Sequence, residues 1–152
     1  MSLIVLFADG GSRSNPGPAA GASILYEVNN HPKVIKSELT NLAQLDLKEV
    51  GQAYKFLGKG TNNEAEWTGL VVGLQKYLDL NLKLPLLILL DSELVTKQLL
   101  GIYKVKQPHL KPFHTHAHEL LDQINDWKIE HIFRAYNKQA DSLVNEVLDA
   151  NT

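Results

Sequence analysis

The chain contains no cysteine, so disulfide staples and thiolate metal sites are excluded, and this composition fits a reducing cytoplasm. Long apolar runs are also lacking: no stretch approaches the ~20 residues that a membrane span requires. The opening Met-Ser-Leu-Ile-Val-Leu-Phe carries no basic segment and turns at once into Asp-Gly, so it does not read as a secretion signal. A surplus of one charge is missing too. With 15 Lys and Arg against 17 Asp and Glu, the net charge of −2 gives no bulk attraction to nucleic acid. There is no internal repeat, low-complexity tract or Pro/Ser-rich linker. What is present is 152 residues, 44% hydrophobic and 21% charged, which predicts one domain over 1–152 with a sizeable core. A cytoplasmic monomer is expected.

The apolar run Leu3 to Ala8 reads as a buried strand. Ala19 to Val28, with Ile24, Tyr26 and Val28 alternating, reads as a second, and Lys33 to Leu39 as a third after the turn Asn29-Asn30-His31-Pro32. Residues 40 to 60 are the least legible, although Ala53 to Leu57 can still be strand. Thr61-Asn62-Asn63-Glu64 starts a helix that Leu70, Leu74, Tyr77 and Leu78 carry to about Leu80. Leu86 to Leu90 is a continuous apolar run, as in a central strand buried on both faces. A helix follows from Ser92-Glu93 to about Leu100. Phe113, Ala117, Leu120, Leu121 and Ile124 mark another, Lys128 to Arg134 a last strand and Asn137 to Leu148 a last helix. The order β-β-β-α-β-α-α-β-α predicts an α/β fold with a five-stranded mixed sheet.

Two of the buried strands end in an acid, Asp9 and Asp91. An Asp before Gly is ordinary turn chemistry. An acid at the end of a buried strand is also costly to desolvate, and sites in α/β sheets gather at strand ends. Two adjacent carboxylates ionise together only around a cation, and oxygen ligands without Cys favour Mg²⁺ or Mn²⁺ over zinc. Glu64 and Glu66 offer a third acid; they point roughly 200° apart around their helix, so they cannot both face one site. Asp141 sits in the first turn of the last helix.

Four motifs then occur in order: Asp-Gly-Gly-Ser-x-x-Asn-Pro-Gly-Pro from Asp9, Thr-Asn-Asn-x-Ala-Glu from Thr61, Leu-Leu-Asp-Ser-Glu-Leu-Val around Asp91, and Asn-x-x-Ala-Asp-x-Leu-Val-Asn from Asn137. Together they resemble type 1 ribonuclease H over essentially the whole chain. The resemblance implies a ribonuclease-H-like sheet with strands 4 and 5 parallel to strand 1 and helices on both faces. It implies Asp9, Glu66, Asp91 and Asp141 as a catalytic, metal-binding tetrad, and so selects Glu66 over Glu64. It implies an endonuclease that cuts the RNA strand of RNA/DNA hybrids and leaves 3′-hydroxyl and 5′-phosphate ends. Two divalent ions about 3.5–4 Å apart serve such a reaction. Asp9 would bridge them, Glu66 and Asp91 complete one site, and Asp141 the other. Asn62, Asn63 and Glu93 match positions that read the RNA strand, and Asn15, Thr61 and Lys59 a pocket for a DNA-strand phosphate. Gly10, Gly11 and Ser12 would let the backbone approach a phosphate. A non-catalytic or DNA-directed binding module of the same fold is the alternative.

The chain departs from the family pattern in three ways. Many members carry a His in the loop before the last Asp; here Ala135-Tyr136-Asn137-Lys138-Gln139 has none, and Arg134 and Asn137 are the candidates to replace it. The chain reads as a short form, without a long basic protrusion or an N-terminal hybrid-binding domain, so binding is expected to be weaker and more salt-sensitive. Lys97, Lys104, Lys106 and Lys111 are the available basic stretch. His114 and His118 share a helix face without a third ligand, and read as a solvated surface, not a zinc site.

Overall fold

The computed structural model describes residues 2–29 and 47–152, and the strand expected at Lys33 to Leu39 lies outside them. Five strands form one sheet in the order β3-β2-β1-β4-β5. They are β1 (Leu3–Ser12), β2 (Gly17–Val28), β3 (Leu47–Gly60), β4 (Leu86–Leu90) and β5 (Trp127–His131). β1 runs antiparallel to β2 and β2 to β3, whereas β1, β4 and β5 are parallel. The helices are α1 (Asn62–Leu80), α2 (Glu93–Leu99), α3 (Lys111–Leu121) and α4 (Lys138–Asn151).

The described third strand of the meander is thus β3, which lies within residues 40 to 60. β3 is one of the two edges of the sheet, and its pairing with β2 slips at Ala19/Ala20 and again at Leu25/Tyr26. Each irregularity breaks the two-residue alternation on which strand reading depends. β5 ends at His131 and not at Arg134. Ile132 N–H makes a last ladder bond to Leu90 O (2.8 Å), and Arg134–Tyr136 then coil into a single 3₁₀ turn.

The sheet is covered on both faces. Along β1, Ile4, Leu6 and Ala8 pack with Trp67, Leu70, Leu74, Ala117 and Leu120 from α1 and α3. Val5 and Phe7 point the other way, with Leu87, Leu89 and Ala140. On that second face, α4 lays Leu143, Val144, Val147 and Leu148 against Ala20, Ala22 and Ile24 of β2. β4 is buried at all five positions, as its unbroken apolar sequence requires. α3 begins with Pro112 in its first turn, where no amide donor is needed. The face holding His114 and His118 is half-buried and not fully solvated: the His114 ring meets Trp67 edge-on at 5.9 Å, and His118 Nε2 lies 3.1 Å from Leu99 O. Among the described residues, no helix is long and apolar enough to cross a membrane.

Close backbone contact sets the height of α1 above β1. A Cβ on Gly69 would stand 2.2 Å from Asp9 O, and one on Gly10 2.1 Å from the Ala65 carbonyl carbon. No side chain fits either gap, so glycine lets the helix lie directly on the strand end that carries Asp9. Gly69→Ala is expected to destabilise the fold by ~1–3 kcal/mol, read as a lower urea midpoint. An unchanged midpoint would show that α1 can lift away from β1 without loss.

Candidate active site

The first turn of α1 is fixed by a reciprocal cap. Thr61 Oγ1 accepts the Glu64 N–H (3.1 Å), and Glu64 Oε1 accepts the Thr61 N–H (3.0 Å). Glu64 is therefore occupied at the helix terminus. Glu66, two residues on, faces the sheet end. The Asn-Pro-Gly loop is tied to the same terminus: Asn15 Oδ1 accepts the Asn62 N–H and Asn62 Oδ1 accepts the Ser12 N–H, both at 3.0 Å.

Asp9 on β1, Glu66 on α1 and Asp91, just past β4, converge. One carboxylate oxygen from each lies within 4.8 Å of the other two. Asp9 is 4% exposed. Burial pushes its carboxyl up to about 7, and repulsion from Asp91 adds to the effect. Burial also raises Glu66 well above its ordinary value, reinforced by Asp9 and then Asp91. Asp91 is raised by burial against the opposing pull of Asn137 and Arg134. Three acids whose ionisation is opposed at so short a range would ionise together more readily around a divalent cation. The donors are all carboxylate oxygens, which suits a hard cation with a partly hydrated shell.

Asp141, in the first turn of α4, lines the same cleft but stands outside the trio; its Oδ1 is 3.9 Å from the Arg134 guanidinium. The cleft holds about 500 Å³ and is lined also by Gly10, Gly11, Ser12, Asn62, Asn63 and Ser92. Asn15, Lys59, Thr61 and Glu93 are not part of that lining. Lys59 is exposed on β3, and Glu93 is paired with Lys97 Nζ at 2.6 Å.

Arg13, Val144, Asn145 and Leu148 also line the cleft; Val144 and Asn145 close the fourth motif, whereas Arg13 stands at an unspecified position of the first and Leu148 outside all four. For the α4 residues the signal was available: they follow Asp141 by three, four and seven positions, the spacing of one helix face. Arg13 is held by Asp149 at 2.5 Å and by Thr152 Oγ1 at 3.2 Å. Asn137 is fully buried and absent from the cleft wall. His131 Nε2 lies 3.2 Å from Asp91 O, on the backbone.

A five-stranded sheet of this order and direction, with acids brought to one end by β1, α1, β4 and α4, defines the ribonuclease-H-like fold class. Comparison with known proteins agrees. The family model described as reverse transcriptase-like matches residues 46–147. The crystal structure of ribonuclease H1 from Halobacterium salinarum shares 35% identity and superposes with a TM-score of 0.80, over 97% of this chain and 98% of that one. The N-terminal ribonuclease H domain of a Mycobacterium tuberculosis protein shares 33% identity, with a TM-score of 0.82 over 99% and 96%. LC11 ribonuclease H1, solved in complex with an RNA/DNA hybrid, is 28% identical, with a TM-score of 0.78 over 97% and 98%. The chain belongs to the type 1 ribonuclease H family. It spans 63% of the length of the Halobacterium ribonuclease HI sequence and 36% of the mycobacterial bifunctional protein.

Proposed function

We propose that the protein is an endoribonuclease that hydrolyses the RNA strand of RNA/DNA hybrids, using two Mg²⁺ ions for which Mn²⁺ can substitute, and leaves 3′-hydroxyl and 5′-phosphate ends. The observation that carries this reading is the convergence of Asp9, Glu66 and Asp91 at the sheet end, with Asp141 across the same cleft. Asp9 would be shared between the ions, with Glu66 and Asp91 on one and Asp141 on the other. When bound, divalent cations activate the attacking water and neutralise charge on the phosphate and leaving oxygen.

The chain's own residues supply position. Gly10, Gly11 and Ser12 border the acids with backbone and a hydroxyl, and Asn62 and Asn63 present the N-terminus of α1, which favours a phosphate. Asn62, Asn63 and Glu93 would read 2′-hydroxyls, which only one strand of a hybrid carries. Asn15, Thr61 and Lys59 would receive a phosphate of the DNA strand. Arg134, 83% exposed beside Asp141, would meet the substrate where family members carry a His. Residues 1–152 would act as one catalytic domain, monomeric and cytoplasmic.

Labelled hybrid, double-stranded RNA and double-stranded DNA, each incubated with the protein and Mg²⁺ or Mn²⁺, test the reading. Cleavage of the hybrid alone is expected. Binding without cleavage of any substrate, or preferential cutting of DNA, would replace it with the non-catalytic or DNA-directed alternative.

A further inference from the structure

Asn137 is the residue before α4, a position where Asn ordinarily turns its side-chain oxygen onto the helix's free amides. Here it makes no such cap. Its side chain turns inward and is fully buried. Nδ2 donates one hydrogen bond to Ala8 O at 2.8 Å and another to Asp91 Oδ2 at 3.2 Å. Ala8 is the residue immediately before Asp9. The Asn137 backbone oxygen in turn accepts the Asp141 N–H at 3.1 Å, the bond that closes the first turn of α4. One residue is thus bonded beside the first acid, to the carboxylate of the third and to the backbone of the fourth, although 129 positions separate it from Ala8.

The amide's other end is equally informative. Asn137 Oδ1 is buried and has no hydrogen-bond partner among the described residues. Neither a capping nor a packing role explains a side chain that forgoes the cap and leaves an acceptor orphaned. Its distinguishing feature is a neutral group with two protons, one for each oxygen it meets. A carboxylate at 137 would offer none and would repel Asp91.

We propose that Asn137 is the positioning residue of the acid cluster, holding the Asp91 carboxylate at a fixed height against the Asp9 strand and joining both to the turn that carries Asp141. This rests on the metal-site reading given above. Being buried beneath the cleft, Asn137 acts through Asp91 and does not replace the missing loop His in proton transfer.

Calorimetric titration of the full chain with Mn²⁺, beside metal-free thermal melting, tests this without substrate. Asn137→Leu keeps the bulk and removes both donors; Asn137→Ser, which keeps one donor, serves if the Leu variant does not fold. Mn²⁺ affinity is expected to fall ~10–100-fold, the usual effect of losing a hydrogen bond that orients a ligand. Lys138→Gly, at the exposed first position of α4, is the control, expected to lower the melting temperature while leaving Mn²⁺ affinity unchanged. If the position 137 variants melt lower but bind Mn²⁺ like the wild type, Asn137 is structural only and the proposal fails. If the wild type itself takes up no Mn²⁺, the metal-site reading fails first and the proposal with it.

Discussion

Asp9→Asn is expected to eliminate cleavage of the hybrid while raising the melting temperature of the metal-free protein. The two effects have one cause. Asp9 is 4% exposed and its carboxyl is pushed up to about 7, first by burial and then by Asp91. At pH 8 it is nevertheless mostly ionised, so the folded protein carries a charge that neither water nor a cation relieves. Asn keeps the shape and removes that charge, and a rise of ~3 °C or more is expected on differential scanning calorimetry in chelator. Activity moves the other way. On the function proposed above Asp9 would hold the divalent cations, a role that contributes several kcal/mol to a transition state, so the rate should fall by ~10³-fold or more. An Asp9→Asn protein that melts higher but still cuts hybrid at the wild-type rate would remove Asp9 from the chemistry.

Between pH 5 and 8 the metal-free wild type should become steadily less stable, and Mn²⁺ should abolish the trend. Asp9, Glu66 and Asp91 all have folded values above their unfolded ones. Between the unfolded value of 3.8 and the folded value of about 7, the folded state holds the Asp9 proton that the unfolded state has lost. The native form then binds more protons, so stability falls as pH rises through this window. Glu93, held down by Lys97, acts in the opposite sense, but only below its ordinary value of 4.5, and His114, held below its ordinary 6.5 by burial, opposes the slope only up to that value, so the fall is expected to be clearest above it. Melting temperatures in chelator across this range measure the slope. A hundredfold excess of Mn²⁺ over its dissociation constant should restore ~2.7 kcal/mol at the alkaline end, roughly 5–10 °C. A flat profile in chelator would mean that the three acids are not crowded in solution.

Much of the frame was legible in the residues themselves. α1 begins at Asn62 and ends at Leu80, as the Thr61 cap and the Leu70, Leu74 and Tyr77 stripe require, and β4 is the Leu86–Leu90 run. Both are dictated locally, by a cap and by continuous burial. β3 was hard to read because it is an edge strand with two slips against β2, so its alternation is broken. The neighbourhood of Asp9 and Asp91 followed from two apolar runs ending in acids, once β1 and β4 lie side by side and parallel. The choice between Glu64 and Glu66 did not follow from spacing alone, because both lie in the first turns of α1. The reciprocal bonds between Thr61 and Glu64 supply the physical difference. Asn137 opens the fourth motif, but nothing in the sequence shows that its side chain turns inward. Before a helix, Asn reads as a cap, and only the meeting of β1, β4 and α4 gives its amide two other oxygens to bond.

The most direct measurement follows both strands of one hybrid, the RNA and the DNA carrying different labels, incubated with the protein with and without Mg²⁺. With the ion, RNA fragments bearing 5′-phosphate and 3′-hydroxyl ends are expected beside an intact DNA strand, and with chelator neither strand should change. RNA cleavage that persists in chelator, or a Mg²⁺-dependent cut in the DNA strand, would contradict a hybrid ribonuclease built on these four acids.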